Sequence, residues 1–277
     1  MSNLTLGFSP CPNDTFIFYA LIHGRVPAGG LTFRERLEDV ETLNRLVLDR
    51  ALAISKISFH LLGHVRDDYA LLRSGGALGR GCGPLVVARD RVDPSGLRGK
   101  RIAIPGRYTT ASLLLRLFDP ALDTFVVMPF HEIMNAVARR EVDAGVIIHE
   151  SRFTFQDHGL HALVDLGEWW ERETGQPIPL GGIVARRDLG KETLTTVEGA
   201  LRESVLFARA HPEEARGYIR AHSQEMSDEV CAAHINLYVN RYSVDLGNDG
   251  ESAVTTLLER AEAAEVIPRN SRSPFIF

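Results

Sequence analysis

The sequence predicts an α/β protein of two lobes with a cleft between them. Three observations carry that prediction. Short apolar runs bounded by turn residues alternate with segments of helical period, the pattern of a βαβ chain and a mainly parallel sheet. This pattern breaks at DRVDPSGLRGK, residues 90–100, and restarts at RIAIP. Two strands of similar character, LVVAR (Leu85–Arg89) and GIVAR (Gly182–Arg186), are each followed by a charged turn and read as two crossings between the units. Two crossings make a hinge, and the expected limits are 1–90 plus 187–277 for the first lobe and 91–186 for the second.

Each element follows from local pattern. Leu4 to Phe8 reads as a first strand, and SPCPND is a proline-punctuated loop in which Asn13 or Asp14 caps the helix bearing Phe16, Ile17, Phe18, Leu21 and Ile22. A strand from Leu31 to Arg36, a helix from Val40 to Asp49, a strand from Ala51 to Ile57, a helix into His64 and a strand from Tyr69 to Leu72 follow. RSGGALGRGCGP, residues 73–84, fits neither a Walker loop nor a dinucleotide fingerprint. It reads as a flexible connection or bulged strand pair, or as a loop closing over a ligand. The second unit runs through RIAIP, the loop GRYTT, a helix from Thr110 to Phe118, strand TFVVM, helix HEIMNAVARREV and strand AGVII. After the strand in LGGIVARRDL, three amphipathic stretches between Lys191 and Val239 and another from Glu251 to Val266 pack back on the first unit.

Composition limits the function classes. With 277 residues, 44% of them hydrophobic, the chain can bury one large core or two ordinary ones. A net charge of -5 provides no broad basic field, so nucleic acid is not an expected partner. Cys11, Cys82 and Cys231 are far apart, which argues against a disulfide framework and a cysteine zinc site. No leader or membrane-length apolar segment is evident, so the expected location is cytoplasmic, without membrane insertion.

Candidate chemistry begins with a repeat. VETLNRLVLDRALAISKIS and MNAVARREVDAGVIIHES both read as helix, turn, buried strand and then a polar triplet. In open α/β sheets ligands bind beyond the carboxyl ends of the strands, so both triplets would face the cleft. His149 suits a general base near neutrality, or a structural helix cap. Lys56 could bind a carboxylate, form a Schiff base if strongly desolvated, or pair with a neighbouring acid. Ser58 starts a helix whose amides can face an anion, and Thr109 and Thr110 in GRYTTAS offer two hydroxyls beside such amides. Ser9, Asn13 and Asp14 are the polar residues of the corresponding loop in the first unit, whereas Cys11 lacks the adjacent histidine that nucleophilic catalysis needs. His158 and His161 read as surface histidines, and Trp169 and Trp170 as core rather than as a lid over a flat ring.

The stretches GFSPCPNDTFIFYALIHGRV, EDVETLNR, RSGGALGRGCGPLVVAR, PGRYTTA, AGVIIHESRFTF and SDEV resemble the 1,4-dihydroxy-6-naphthoate synthase family of the futalosine route to menaquinone. The resemblance covers nearly the whole chain, and SPCPNDTF with IIHESRF is its most specific part. It implies a type II periplasmic-binding-protein-like fold used as a cytoplasmic enzyme. It also implies conversion of cyclic dehypoxanthine futalosine to 1,4-dihydroxy-6-naphthoate and dihydroxyacetone without metal or organic cofactor. The implied base falls on His149, and the implied substrate contacts on Lys56, Ile57 and Ser58 and on Thr110 and Ala111 beside Thr109. Asn13 joins them from SPCPND. Ser55 stands where relatives carry threonine, which weakens the match there, and Glu150 could orient or repel. The expected partner is a small carboxylate substrate, and association into a homo-oligomer is compatible with the sequence. The competing readings are chorismate dehydratase of the same route and a non-catalytic solute-binding protein.

Overall fold

A computed structural model describes residues 3–149, 151–223 and 227–276. The chain begins β1 (Asn3–Phe8), α1 (Pro12–Ile22), β2 (Thr32–Leu37), α2 (Val40–Leu48), β3 (Ile54–Ser58), α3 (Phe59–Val65), β4 (Tyr69–Leu71), β5 (Ala77–Gly79) and β6 (Leu85–Ala88). It continues with β7 (Ile102–Ile104), α4 (Thr110–Phe118), β8 (Phe125–Val127), α5 (Phe130–Ala138), β9 (Ala144–Ile147), α6 (Ser151–Thr154), β10 (His161–Asp165), α7 (Leu166–Thr174) and β11 (Ile178–Arg186). The C-terminal part is helical: α8 (Lys191–Ala210), α9 (Pro212–His222), α10 (Asp228–Tyr238), α11 (Arg241–Val244) and α12 (Gly247–Ala263).

These strands form two sheets. The first has the order β2-β1-β3-β11-β4, with β5 also on β11, and the second β10-β6-β9-β7-β8. The sheets are mixed rather than mainly parallel. β1, β2 and β3 run parallel, as do β7, β8 and β9, but β11 is antiparallel to β3 and β6 is antiparallel to β9. The reason lies in the crossings. Gly181 in the first half of β11 pairs with Ser58 at the carboxyl end of β3, and Leu85 at the start of β6 pairs with Ile147 at the carboxyl end of β9. Each strand enters its sheet directly from the cleft side, without the helical crossover that a parallel neighbour requires. The chain thus changes sheet ahead of Leu85 and ahead of Ile178. The lobe limits, proposed from sequence at 90 and 187, follow each crossing strand.

All five residues of β3 are buried, Lys56 included, because β3 lies between β1 and β11. α1 is apolar on all sides, and correspondingly it is enclosed, packed on α8, α9 and α10. Its N-cap is Cys11 with Pro12 at the first helical position, not Asn13 or Asp14, whose side chains are used elsewhere. One hydrophobic cluster joins Ile57, Leu71 and Val184 of the first sheet to Val86, Ile104 and Val146 of the second, through Leu113 and Leu115 of α4. Trp170 is fully buried and donates to the Pro177 carbonyl at 3.1 Å, while Trp169 meets Phe118 edge-on at 5.7 Å. The tryptophan pair is therefore core. The three cysteines are buried, and among the described residues no helix is long and apolar enough to cross a membrane.

Candidate functional site

The two polar triplets meet. β3 and β9 point their carboxyl ends at one cavity of about 710 Å³, counting the part open to solvent. Lys56, Ile57 and Ser58 come to it from β3, Asn13 from the start of α1, Thr109, Thr110 and Ala111 from the start of α4, and His149 from beyond β9. The base and the substrate contacts expected from the sequence thus line the same cavity. The glycine-rich connection reaches it as well, through Cys82, Gly83 and Pro84. Burial pushes the Cys82 thiol up to about 12, so it remains protonated and unreactive at neutral pH.

Of the alternatives open for Lys56, the structure contains the ion pair, formed with Asp14. The Nζ to Oδ1 distance is 3.0 Å, and both side chains are almost wholly buried. The Asp14 carboxylate is saturated: Oδ1 also accepts from Asn13 Nδ2 at 2.9 Å, and Oδ2 from the Ser9 amide at 3.2 Å and the Ser9 hydroxyl at 2.8 Å. Four donors fill its four acceptor positions and leave none for a substrate proton. Lys56 gives a second N–H to the Gly75 carbonyl at 3.4 Å. One of its three donors remains for a ligand.

Sequence reasoning missed His234, which reaches this cavity from α10. Its Nε2 lies 2.9 Å from Asn13 Oδ1. Because the Asn13 amide nitrogen donates to Asp14, the Asn13 oxygen is the acceptor and His234 Nε2 carries the proton. The rings of His234 and His149 are parallel within 7°, with centroids 6.0 Å apart. Burial, with His149 and Lys56 nearby, lowers the His234 pKa to about 3. The ring is neutral at physiological pH.

His149 has a left-handed backbone, φ 56°, which is uncommon outside glycine and is a conformation often retained at functional positions. Phe130 at the start of α5 also meets its ring, tilted by 58° at 5.1 Å between centroids. One turn further on, Arg152 bonds to the Gly83 carbonyl at 2.6 Å and to Asp165 at 2.5 Å, fixing the start of α6 against the crossing segment. Glu150 lies outside the described residues.

The two threonine hydroxyls are committed to the protein. Thr109 caps α4 by accepting from the Ser112 amide at 3.3 Å and donates to Gly106. Thr110 Oγ1 accepts from the Phe59 amide at 2.9 Å and donates to the Leu180 carbonyl at 2.5 Å. Thr110 therefore joins α4 to α3 and β11 across the cleft. Glu41 adds a second tie, accepting from the Arg107 and Tyr108 amides at 3.1 and 3.3 Å. What the start of α4 can offer an anion is its amides, Thr110 and Ala111 being the first two of the helix. His158 is exposed, and among the described residues no group of three His, Cys, Asp or Glu is placed to hold a metal ion.

Comparison with known proteins agrees with this architecture. A Candida albicans protein described as having the generic periplasmic binding protein fold superposes with a TM-score of 0.71 at 17% identity, covering 98% of this chain and 92% of its own. The alkanesulfonate-binding protein SsuA of Xanthomonas axonopodis pv. citri superposes at 0.70 and 15%, covering 99% and 96%. These show the fold: two lobes of the periplasmic-binding-protein type. A protein of Archaeoglobus fulgidus reaches 0.89 at 39% identity over 96% of this chain and 98% of its own. The 1,4-dihydroxy-6-naphthoate synthase of Thermus thermophilus is 53% identical over 276 residues, 100% of each chain. That of Streptomyces coelicolor is 50% identical over 272 residues, 96% of this chain and 95% of its own. With the menaquinone biosynthesis family model matching residues 4–263 as well, the chain belongs to that family, alongside the 1,4-dihydroxy-6-naphthoate synthases.

Proposed function

We propose that this enzyme of menaquinone biosynthesis is a carbon–carbon lyase converting cyclic dehypoxanthine futalosine into 1,4-dihydroxy-6-naphthoate with release of dihydroxyacetone. The observation that carries the proposal is the position of His149, at a strand end on the same cavity wall as Lys56, Ser58 and the first turn of α4. His149 is the general base. It removes a proton beside the substrate ketone, and aromatisation of the ring drives loss of the three-carbon fragment. The aromatic carboxylate is held by the remaining Lys56 donor and by the amides of Thr110 and Ala111. Because Asp14 balances the Lys56 charge, this grip depends on directed hydrogen bonds more than on an unopposed cation. Ring contacts with Phe130 and His234 limit rotation of the imidazole, so the base approaches the substrate in one orientation. A cytoplasmic location accompanies this reading.

Product analysis is the test. Incubated with cyclic dehypoxanthine futalosine, the protein should release the naphthoate and dihydroxyacetone in equal amounts. Recovery of the intact compound would leave a binding protein, and consumption of chorismate instead would make it a dehydratase of the same route.

A further inference from the structure

His234 has an acceptor with nothing to accept from. It is fully buried, its Nε2–H is committed to Asn13, and its Nδ1 has no hydrogen-bond partner among the described residues. Buried polar atoms in folded proteins are almost always paired, and His234 is one of the residues that line the ligand cavity, so its orphan nitrogen calls for a partner that comes with the ligand. The tautomer cannot readily change, since it is fixed in sequence by Asn13, Asp14 and Lys56, each bonded to the next at 2.9, 2.9 and 3.0 Å. The ring cannot easily turn either. It stacks parallel to His149 on one side and meets Tyr238 at 4.7 Å, one helical turn along α10.

We propose that His234 is a substrate-binding residue: a neutral imidazole, locked by Asn13 as the Nε2–H tautomer, whose Nδ1 lone pair accepts a hydrogen bond from a hydroxyl of the bound substrate. The inference rests on the synthase reading, which supplies the hydroxyls, since the fragment released as dihydroxyacetone carries them beside the bond that breaks. A protonated His234 would have no acceptor to offer, and the burial that holds its pKa at about 3 preserves the lone pair. The parallel stacking sets this hydroxyl next to the base without passing a proton between the two rings. His149 takes the carbon-bound proton and His234 orients the polyol.

Two variants separate this role from a purely structural one. His234→Asn retains an acceptor near the Nδ1 position but loses the bond to Asn13, whereas His234→Gln retains a donor near Nε2 and loses the acceptor. If the orphan nitrogen receives a substrate hydroxyl, His234→Gln raises the Michaelis constant for cyclic dehypoxanthine futalosine at least about tenfold, and His234→Asn is the milder change. The opposite order, or equal constants in both, overturns the proposal and leaves His234 as a support for Asn13. Side-chain nitrogen NMR of the free, histidine-labelled protein gives an independent reading. The Nε2–H tautomer at neutral pH supports the proposal, and an Nδ1–H tautomer or an imidazolium overturns it. Absence of turnover by the unaltered protein would instead remove the synthase reading, while the tautomer, read without substrate, still judges His234.

Discussion

Replacing Asp14 with asparagine leaves the Lys56 ammonium buried without its counter-ion. The two charged atoms are 3.0 Å apart, with side chains 8% and 3% exposed, so their attraction is roughly 5 kcal/mol at an effective dielectric constant of about 20. Desolvation offsets most of this in the intact pair, but truncating one member leaves the penalty unopposed, and the expected loss is about 3–5 kcal/mol. An amide at position 14 also turns a donor toward either Lys56 or Ser9, where only acceptors fit. Lys56→Met should cost less, about 2–3 kcal/mol, because Asp14 keeps three of its four donors. The combined variant removes both charges and should cost at least about 2 kcal/mol less than the sum of the two. Urea denaturation followed by circular dichroism, extrapolated linearly to water, measures all three. Single losses below about 1 kcal/mol, or additivity within about 0.5 kcal/mol, would refute the buried pair as a coupled unit.

Two further outcomes are expected. His149→Ala should keep the fold and much of the substrate affinity while turnover falls by about two to four orders of magnitude, measured as naphthoate formed per enzyme; near-normal turnover would remove His149 as the base. Acid should destabilise the protein before its carboxylates titrate. Burial lowers His60 to about 4 and His234 to about 3, so the unfolded chain binds more protons than the folded one below about pH 6.5, and stability present above that value is lost on acidification. Each histidine should contribute a loss of about 2 kcal/mol between pH 7 and pH 5, and denaturation midpoints that do not move between those values would contradict it.

The sequence was most informative where chemistry and chain position coincide. ISKIS and IIHES each close a short apolar run with polar residues, and in an α/β fold that pattern alone directs side chains to a cleft. The directions of β6 and β11 were less legible, because each takes its direction from the lobe it leaves rather than from its own residues. Lys56 announced that it needed a partner, but which acid would supply it depends on α1 folding over β3. The threonine hydroxyls were over-read: capping accounts for Thr109, and a cross-cleft bond to Leu180 accounts for Thr110. His234 did leave a signal. Cys231, His234 and Tyr238 recur at helical spacing on the buried face of α10, and a histidine in the middle of such an apolar stripe must satisfy its nitrogens somewhere. Its partner Asn13 lies at the other end of the sequence, beyond the reach of any local pattern.

β11 imposes an order on synthesis. Among the described residues β4 and β5 pair with no strand other than β11, β4 having besides it only the bridge of Leu71 to Phe275, and Ser58 finds its strand partner only when Gly181 has been made. The ribosome therefore delivers the entire second sheet, Leu85 to Asp165, before the first can close. The lobe encoded first is finished last. Throughout that interval Ile54 to Ser58 presents an unpaired backbone edge on the side that β11 will cover, the kind of template on which nascent chains aggregate and which chaperones cover. Substitutions that slow the arrival or docking of β11 would thus act on yield from the cell more than on the activity of the molecules that complete the sheet.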